Sequence, residues 1–324
     1  MINKKEILLS IIIPVYNTAE YLEECVESLI DKKLEYEIII IDDGSTDESL
    51  RIANQLSDKY SMITIIEQEN HGQGHARNRG IDIARGKYIF FMDSDDVFEK
   101  DGLYKAIQLL EKENLNGLFF DASTFFDEKY VGEKKFKPRY DRKKSYGHYD
   151  LGESMLIDLV KDKQYSVSPC LYIIRRDLII RKEIRFIEGF INEDDSFTTE
   201  LLLNIQNISH INEKFFKRRI RNGSTMTSSK ATKSLLGQFM AFKTFNNLLD
   251  NHDFLSKSNK TIFKNIVLNK VINMQRFKPE LDGNEIYGKM KYIAKKHNYY
   301  NLKGFILIRH LKLYNFVKKL KSKL

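Results

Sequence analysis

With 324 residues, 42% of them hydrophobic, the chain has ample apolar material for one large domain or two ordinary ones. Its two cysteines, Cys25 and Cys170, lie far apart and in no C-x-x-C pairing, which excludes a disulfide framework or a cysteine zinc site and suits a reducing cytoplasm. The net charge of +8 conceals a split: residues 1–128 carry 13 Lys and Arg against 26 Asp and Glu, residues 129–324 carry 40 against 19, so the two halves face different partners.

In chain order, MINKKEILLSIIIPVYN joins a charged start to a short β-branched run that lacks a small-residue cleavage site and ends at Pro14. It reads as a first strand, Leu8–Ile13, and not as a signal peptide. An amphipathic helix follows, with Leu22, Cys25, Val26 and Leu29 at i, i+3, i+4 and i+7. Further strands are expected at Glu37–Ile41, Ile63–Glu67, Tyr88–Met92 and Leu118–Ser123, and Ser45-Thr46-Asp47-Glu48 has the capping-box form that opens a helix. Strands alternating with helices to about residue 126 form the pattern of a mostly parallel α/β sheet. Residues 129–149 are basic and aromatic without a clear period, which reads as an exposed segment. A second α/β portion runs to about residue 228, and from Thr232 on Leu, Ile and Phe recur at helical spacing among lysines, so the C-terminal region is expected to be helical. Nowhere do roughly 18 or more apolar residues run together, so no transmembrane helix is expected.

Ligands of an open α/β sheet sit beyond the carboxyl ends of its strands. Here those ends carry Pro14-Val15-Tyr16-Asn17, then Asp42-Asp43-Gly44-Ser45, then Asp93-Ser94-Asp95-Asp96. Singly, each has a bland reading: DDGS as a turn with a helix cap, DSD as a capped turn, Arg77 as a solvated helix residue. Together they bring carboxylates from two strand ends to one crevice, where like charges need a cation or a hydroxyl-rich ligand to offset them. Hard oxygens at D-x-D spacing suit Mn2+ or Mg2+, which bridge phosphate oxygens.

In this order and spacing, PVYN, IIIIDDGSTD, NHGQGHARNRG and GKYIFFMDSDD resemble the bacterial family 2 glycosyltransferases of the GT-A fold, inverting enzymes that use a nucleotide-diphosphate sugar. The resemblance is close over residues 7–100 and continues loosely through INEDDSF at 191–197 and RRIRNGSTM at 218–226. It implies that Pro14, Tyr16 and Asn17 line the nucleotide site with Asp42 and Asp43, the latter accepting the imide proton of a uracil. It implies that Asp93 binds ribose or donor sugar, that Asp95 holds Mn2+ or Mg2+ against the diphosphate, and that Arg77, at a helix start, adds charge-assisted contact to the donor. Of the pair Glu193-Asp194, Asp194 would be the base that takes the acceptor proton on the face opposite the leaving group. Read alone, the stretch is an acidic helix start capped by Asn192. Arg219, Arg221 and Ser224 would close over the diphosphate; the two arginines alternate on a strand and so share a face, though read alone they form an exposed basic strand. His71 and His75 read as polar loop residues. Where relatives often read W-x-K-L-Y this chain has Ser168-Pro169-Cys170-Leu171-Tyr172, and it contains no Trp, so sugar and acceptor specificity do not transfer.

The expected organisation is a catalytic domain over 1–228, with a nucleotide-sugar half to 128 and an acceptor and base half beyond it, then a helical region over 229–324. The expected function is transfer of a hexose or N-acetylhexosamine from a UDP-sugar to a glycan or a polyprenyl- or otherwise lipid-linked glycan in surface polysaccharide synthesis, capsule or lipopolysaccharide, with no nucleic acid partner. A nucleotidyltransferase making the nucleotide sugar would carry a glycine-rich basic loop directly after its first strand, and PVYNTAEYLEE is not one. An inactive assembly subunit would show an eroded D-x-D or base. The last 24 residues, NLKGFILIRHLKLYNFVKKLKSKL, hold seven Lys and Arg and no acid, with Leu313, Phe316, Val317, Leu320 and Leu324 in one stripe. Such a helix either lies in an anionic membrane surface, on the cytoplasmic face, or packs on the protein's own helices.

Overall fold

The β-branched run after Leu8 becomes strand β1 (Leu9–Val15), buried at every position, as parallel strands covered on both faces are. The computed structural model describes residues 6–132, 140–223 and 231–274. After β1 come helix α1 (Ala19–Ser28), β2 (Tyr36–Asp42), α2 (Ser49–Lys59), β3 (Ile63–Glu67), α3 (Gln73–Ile83) and β4 (Tyr88–Phe91). β1 pairs in parallel with β2 and β4, and β2 with β3. α3 approaches β1 closely at Gly80, where a Cβ would stand 2.3 Å from Ile12 Cγ2.

Beyond β4 the chain alternates between two sheets. It continues through β5 (Val97–Phe98), α4 (Gly102–Lys112), β6 (Gly117–Phe119), β7 (Ala122–Phe126), β8 (Gly147–Leu151), α5 (Gly152–Lys161), β9 (Tyr172–Arg175), α6 (Arg176–Arg181), α7 (Glu193–Asn204), β10 (Gln206–His210) and β11 (Phe216–Ile220). The larger sheet runs β3-β2-β1-β4-β9-β6-β10-β8 and the smaller β5-β11-β7. β9 is antiparallel to both of its neighbours, β4 and β6, while β10 runs parallel to β6. The sheet is therefore mostly parallel, with the GT-A layout that the motifs implied. In the smaller sheet β11 lies antiparallel to β5, the strand that follows the D-x-D turn, and parallel to β7. That pairing delivers the RRIR segment to the acidic strand end.

Three local expectations need correcting. The run Leu118–Ser123 is two strands in different sheets, because the chain turns at Phe120-Asp121 to place a buried carboxylate. Asp121 accepts hydrogen bonds from Arg142 N at 2.9 Å and Arg142 Nη1 at 2.8 Å, and a third from His210 Nε2 at 3.1 Å. The Tyr146 amide donates to His210 Nδ1 at 3.1 Å, so Nε2 carries the ring proton, and burial holds the imidazole's pKa below its ordinary value. Arg142 thus ties part of the supposedly exposed 129–149 segment into the interior. Helix α2 opens at Ser49 and not at the capping box: the Ser45 hydroxyl accepts from Asn17 N, and Asp47 accepts from Ser49 N and Ala19 N.

The chain divides into two units, Met1–Ser229 and Lys230–Leu324. In the second, α8 (Ala231–Asn251) and α9 (Lys257–Met274) pack through Phe245 and Phe263, both fully buried, their ring centres 6.0 Å apart. Among the described residues no helix is long and apolar enough to cross a membrane. The basic stripe of residues 301–324 lies outside the described residues, as does Ser224.

Candidate active site

The nucleotide-side residues gather where β1 and β2 end. Pro14 pairs with Ile41 and Val15 with Asp42, so Tyr16, 47% exposed, and Asn17 emerge beside the DDGS turn. Asn17 adopts a left-handed φ of 52° and accepts from Thr46 N at 2.8 Å, while Asp42 accepts from Ser45 N at 3.1 Å. The second oxygen of the buried Asp42 has no partner. The Asp43 carboxylate accepts from Gln68 Nε2 (2.6 Å), His71 N (2.8 Å) and Gly72 N (2.8 Å). It therefore shapes the turn into α3, with Gly72 at φ 91° immediately before the helix.

Arg77, one helical turn further on, is 2% exposed and is the hub of the site. Its Nη2 donates to Asp93 at 2.8 Å; its Nη1 donates to Glu193 at 2.8 Å and to Asp194 at 2.9 Å. Gln73 Nε2 also donates to Glu193, at 2.5 Å. The guanidinium lies 5.2 Å over the Phe186 ring, which stacks on Phe197 of α7 with centres 3.9 Å apart. One cation thereby fastens the D-x-D turn to the start of α7. Asn192 precedes that helix in a left-handed conformation and its side chain makes no cap bond, so three acids in the first turn meet the helix's free amide end.

The β11 arginines occupy the other side of the acidic turn. Arg218 donates to Asp93 at 3.0 Å and lies 3.7 Å from Asp96. Asp96 accepts the Arg219 amide at 2.7 Å, Arg219 Nε donates to the Asp95 carbonyl at 2.9 Å, and Arg221 Nε donates to the Asp95 carboxylate at 2.7 Å. Arg219 and Arg221 do share a face, each 5.0 Å over the Tyr21 ring, and Arg219 also pairs with Glu24 and Asp127.

Charge counting explains the proton affinities. Burial would raise Asp93, but Arg218 and Arg77 together hold it below the usual carboxylate range. Asp194 is pushed well above that range by burial and by Glu193, against the pull of Arg77. Asp96 is pushed up by burial and by Asp95 and Asp93, with Arg218 opposing. Three carboxylates share one Arg77, so one of them retains its proton to higher pH. Asp194, whose side chain is 25% exposed while that of Glu193 is fully covered, is the one that a second substrate could reach.

No cluster of three or more His, Cys, Asp or Glu able to hold a metal occurs among the described residues. Asp95 nonetheless fits a hard cation of the Mg2+ type, which takes one or two carboxylates and completes its shell with water and substrate phosphate. It is 18% exposed and commits one oxygen to Arg221.

The geometry thus joins Arg77, Asp93, Asp95, Glu193, Asp194, Arg219 and Arg221 in one network, with Pro14, Tyr16, Asn17, Asp42 and Asp43 forming a separate patch at the ends of β1 and β2. Sequence reasoning gave no role to Arg218, Asp96 or Gln73. Strand alternation puts Arg218 opposite Arg219, and that signal was there to be read. Arg77, which the resemblance set on the donor, is enclosed by protein carboxylates.

Residues 10–180 match the model of glycosyl transferase family 2. The chain is 33% identical to the uncharacterized glycosyltransferase YibD of Escherichia coli K12, over 67% of this chain and 62% of that protein. It is 39% identical to a poly(ribitol-phosphate) beta-glucosyltransferase of Bacillus spizizenii, over 40% of this chain and 21% of that one. The match therefore spans less than two thirds of either relative. The fold is that of S. aureus TarS residues 1–349, solved in complex with UDP-GlcNAc, at TM-score 0.67 and 23% identity over 93% of this chain and 81% of that chain.

Proposed function

The chain belongs to glycosyl transferase family 2, and from that premise we propose that it is an inverting transferase moving a hexose or N-acetylhexosamine from a UDP-sugar to an acceptor of bacterial surface polysaccharide synthesis. The observation that carries this reading is the Arg77 hub, which holds a D-x-D carboxylate and a solvent-reachable acid of raised proton affinity on one guanidinium. In the reaction, ionised Asp194 accepts the acceptor's hydroxyl proton as that oxygen attacks the anomeric carbon, and the bond to the diphosphate breaks on the opposite face. Arg77 is a positioning residue: it touches no reacting atom and orients Asp93 and Asp194 together. Arg221, released from Asp95, and Arg219 would offset the charge of the departing diphosphate. Mn2+ or Mg2+ at Asp95 would act as a Lewis acid on that leaving group. The UDP assignment is supported by a structural neighbour solved with UDP-GlcNAc, and the surface-polymer assignment by a relative named for poly(ribitol-phosphate) glucosyl transfer. Peripheral attachment to an anionic membrane surface through the basic stripe of residues 301–324 belongs to the same proposal, supported by sequence alone.

The test is hydrolysis or transfer from a panel of UDP-glucose, UDP-galactose and their N-acetyl forms with Mn2+, alongside GDP-sugars. Asp194→Asn should lose about 100-fold or more in kcat, the size of a general-base contribution, while binding UDP normally. Near wild-type turnover by this variant would overturn the base assignment, and tighter binding of GDP than of UDP the donor assignment.

A further inference from the structure

A cleft of about 230 Å³ opens on the basic half of the molecule, walled by Tyr140, Arg142, Lys143, Lys163, Tyr165 and Ser166. It is smaller than the roughly 300–1,000 Å³ of sites that enclose a drug-sized ligand, so it fits one functional group of a larger molecule. Its charge is positive and partly unspent. Lys143 and Lys163 are exposed and pair with no acid among the described residues, while the carboxylate at this cleft, Asp141, is already paired with Lys214. Arg142 is 6% exposed; its Nη1 is committed to Asp121 and the Phe120 carbonyl, but its Nε has no hydrogen-bond partner. That nitrogen is sealed from solvent, so the cations that the cleft offers a ligand are Lys143 and Lys163. The Ser166 hydroxyl adds a neutral donor.

The cleft also borders the reaction site. The Tyr140 ring lies 5.8 Å from the Arg218 guanidinium, which holds Asp93, and the Tyr165 hydroxyl is 2.8 Å from Thr199 Oγ1 on α7, the helix whose first turn carries Asp194. One wall therefore touches the acidic turn through Arg218 and the other the base-bearing helix α7. Lysine is a compact point charge with three rotatable donors, and it binds phosphate oxygens without demanding one approach direction. We propose that this cleft is a subsite for a phosphoryl group of the acceptor, so that the substrate glycosylated is a phosphate-bearing chain or carrier and not a neutral glycan. This deepens the transferase reading and rests on it.

Calorimetric titration of the full chain, saturated with UDP, tests the proposal with two probes: a synthetic hexamer of glycerol phosphate, presenting phosphodiesters, and a water-soluble short-chain polyprenyl diphosphate. Wild type should bind at least one, which identifies the source of the phosphoryl group, and K143A/K163A should weaken that binding tenfold or more, equivalent to 1.4 kcal/mol. K32A/K105A removes the same charge from exposed positions elsewhere and should change nothing. Equal losses in both double variants, no loss in K143A/K163A, or no binding of either probe by wild type would overturn the subsite. Failure of wild type to bind UDP would instead bring down the transferase reading beneath it.

Discussion

Replacing Arg77 by Met removes the charge at the hub while keeping most of its volume. Three carboxylates at 2.8–2.9 Å then lose their shared cation, one of them, Glu193, wholly buried. Breaking a buried ion pair from one side costs about 3–5 kcal/mol. A unit of some 230 residues loses about 2–4 °C of melting temperature per kcal/mol, so a cost of about 4 kcal/mol corresponds to a drop of about 8–16 °C. The drop should depend on pH. Without Arg77 the already raised Asp194 is raised further and Asp93 loses one of the two cations that lower it, so the penalty is absent where these acids are protonated and grows as pH climbs through and beyond the unfolded carboxylate range. Scanning calorimetry of wild type and R77M at pH 4.5 and pH 8 should therefore show the larger gap at pH 8. R77M/E193Q/D194N, which removes two of the stranded charges, should recover much of it. An equal gap at both pH values, or a loss under about 2 °C, would refute the charge argument.

Glu193 raises the proton affinity of Asp194, so Glu193→Gln should move the acidic limb of kcat/KM to lower pH, whereas the surface change Asp82→Asn should leave it in place. Gly86→Ala would set a Cβ 2.5 Å from the backbone nitrogen of Ser10, which has no slack, and should destabilise by about 1–3 kcal/mol in denaturant melts; wild-type stability would contradict the close approach. Full-length protein should float with anionic liposomes in a salt-dependent way, and a chain stopped after Tyr300 should not; equal behaviour of the two would remove the membrane proposal.

β1, β2 and β4 were legible because parallel strands covered on both faces read as near-continuous apolar runs, as IIIPV, IIII and YIFF do. The break at Phe120-Asp121 was not, since an apolar run does not announce that its two halves serve different sheets. The acidic turn was legible as a charge cluster needing compensation, but not the identity of the compensating groups. Besides Arg77 of α3, those come from β11 and the residue after it, brought in by pairing with β5 across more than a hundred residues, and no local pattern encodes that pairing. The same holds for Arg142: in the sequence it stands in a basic, aperiodic stretch, and Asp121 and the Phe120 carbonyl make it an interior residue.

The position of β9 carries a consequence for how the chain reaches its native state. β4 gains its second neighbour only when Tyr172–Arg175 arrives between it and β6. During synthesis, β4 emerges some eighty residues before the strand that completes its pairing. Over that interval the edge of YIFF presents unpaired amides beside apolar side chains, a template for pairing with another nascent chain. Such long-range closure slows folding and lengthens exposure to aggregation. Truncations that end between residues 126 and 172 should therefore accumulate as inclusion bodies, while those retaining β9 and β10 regain soluble expression.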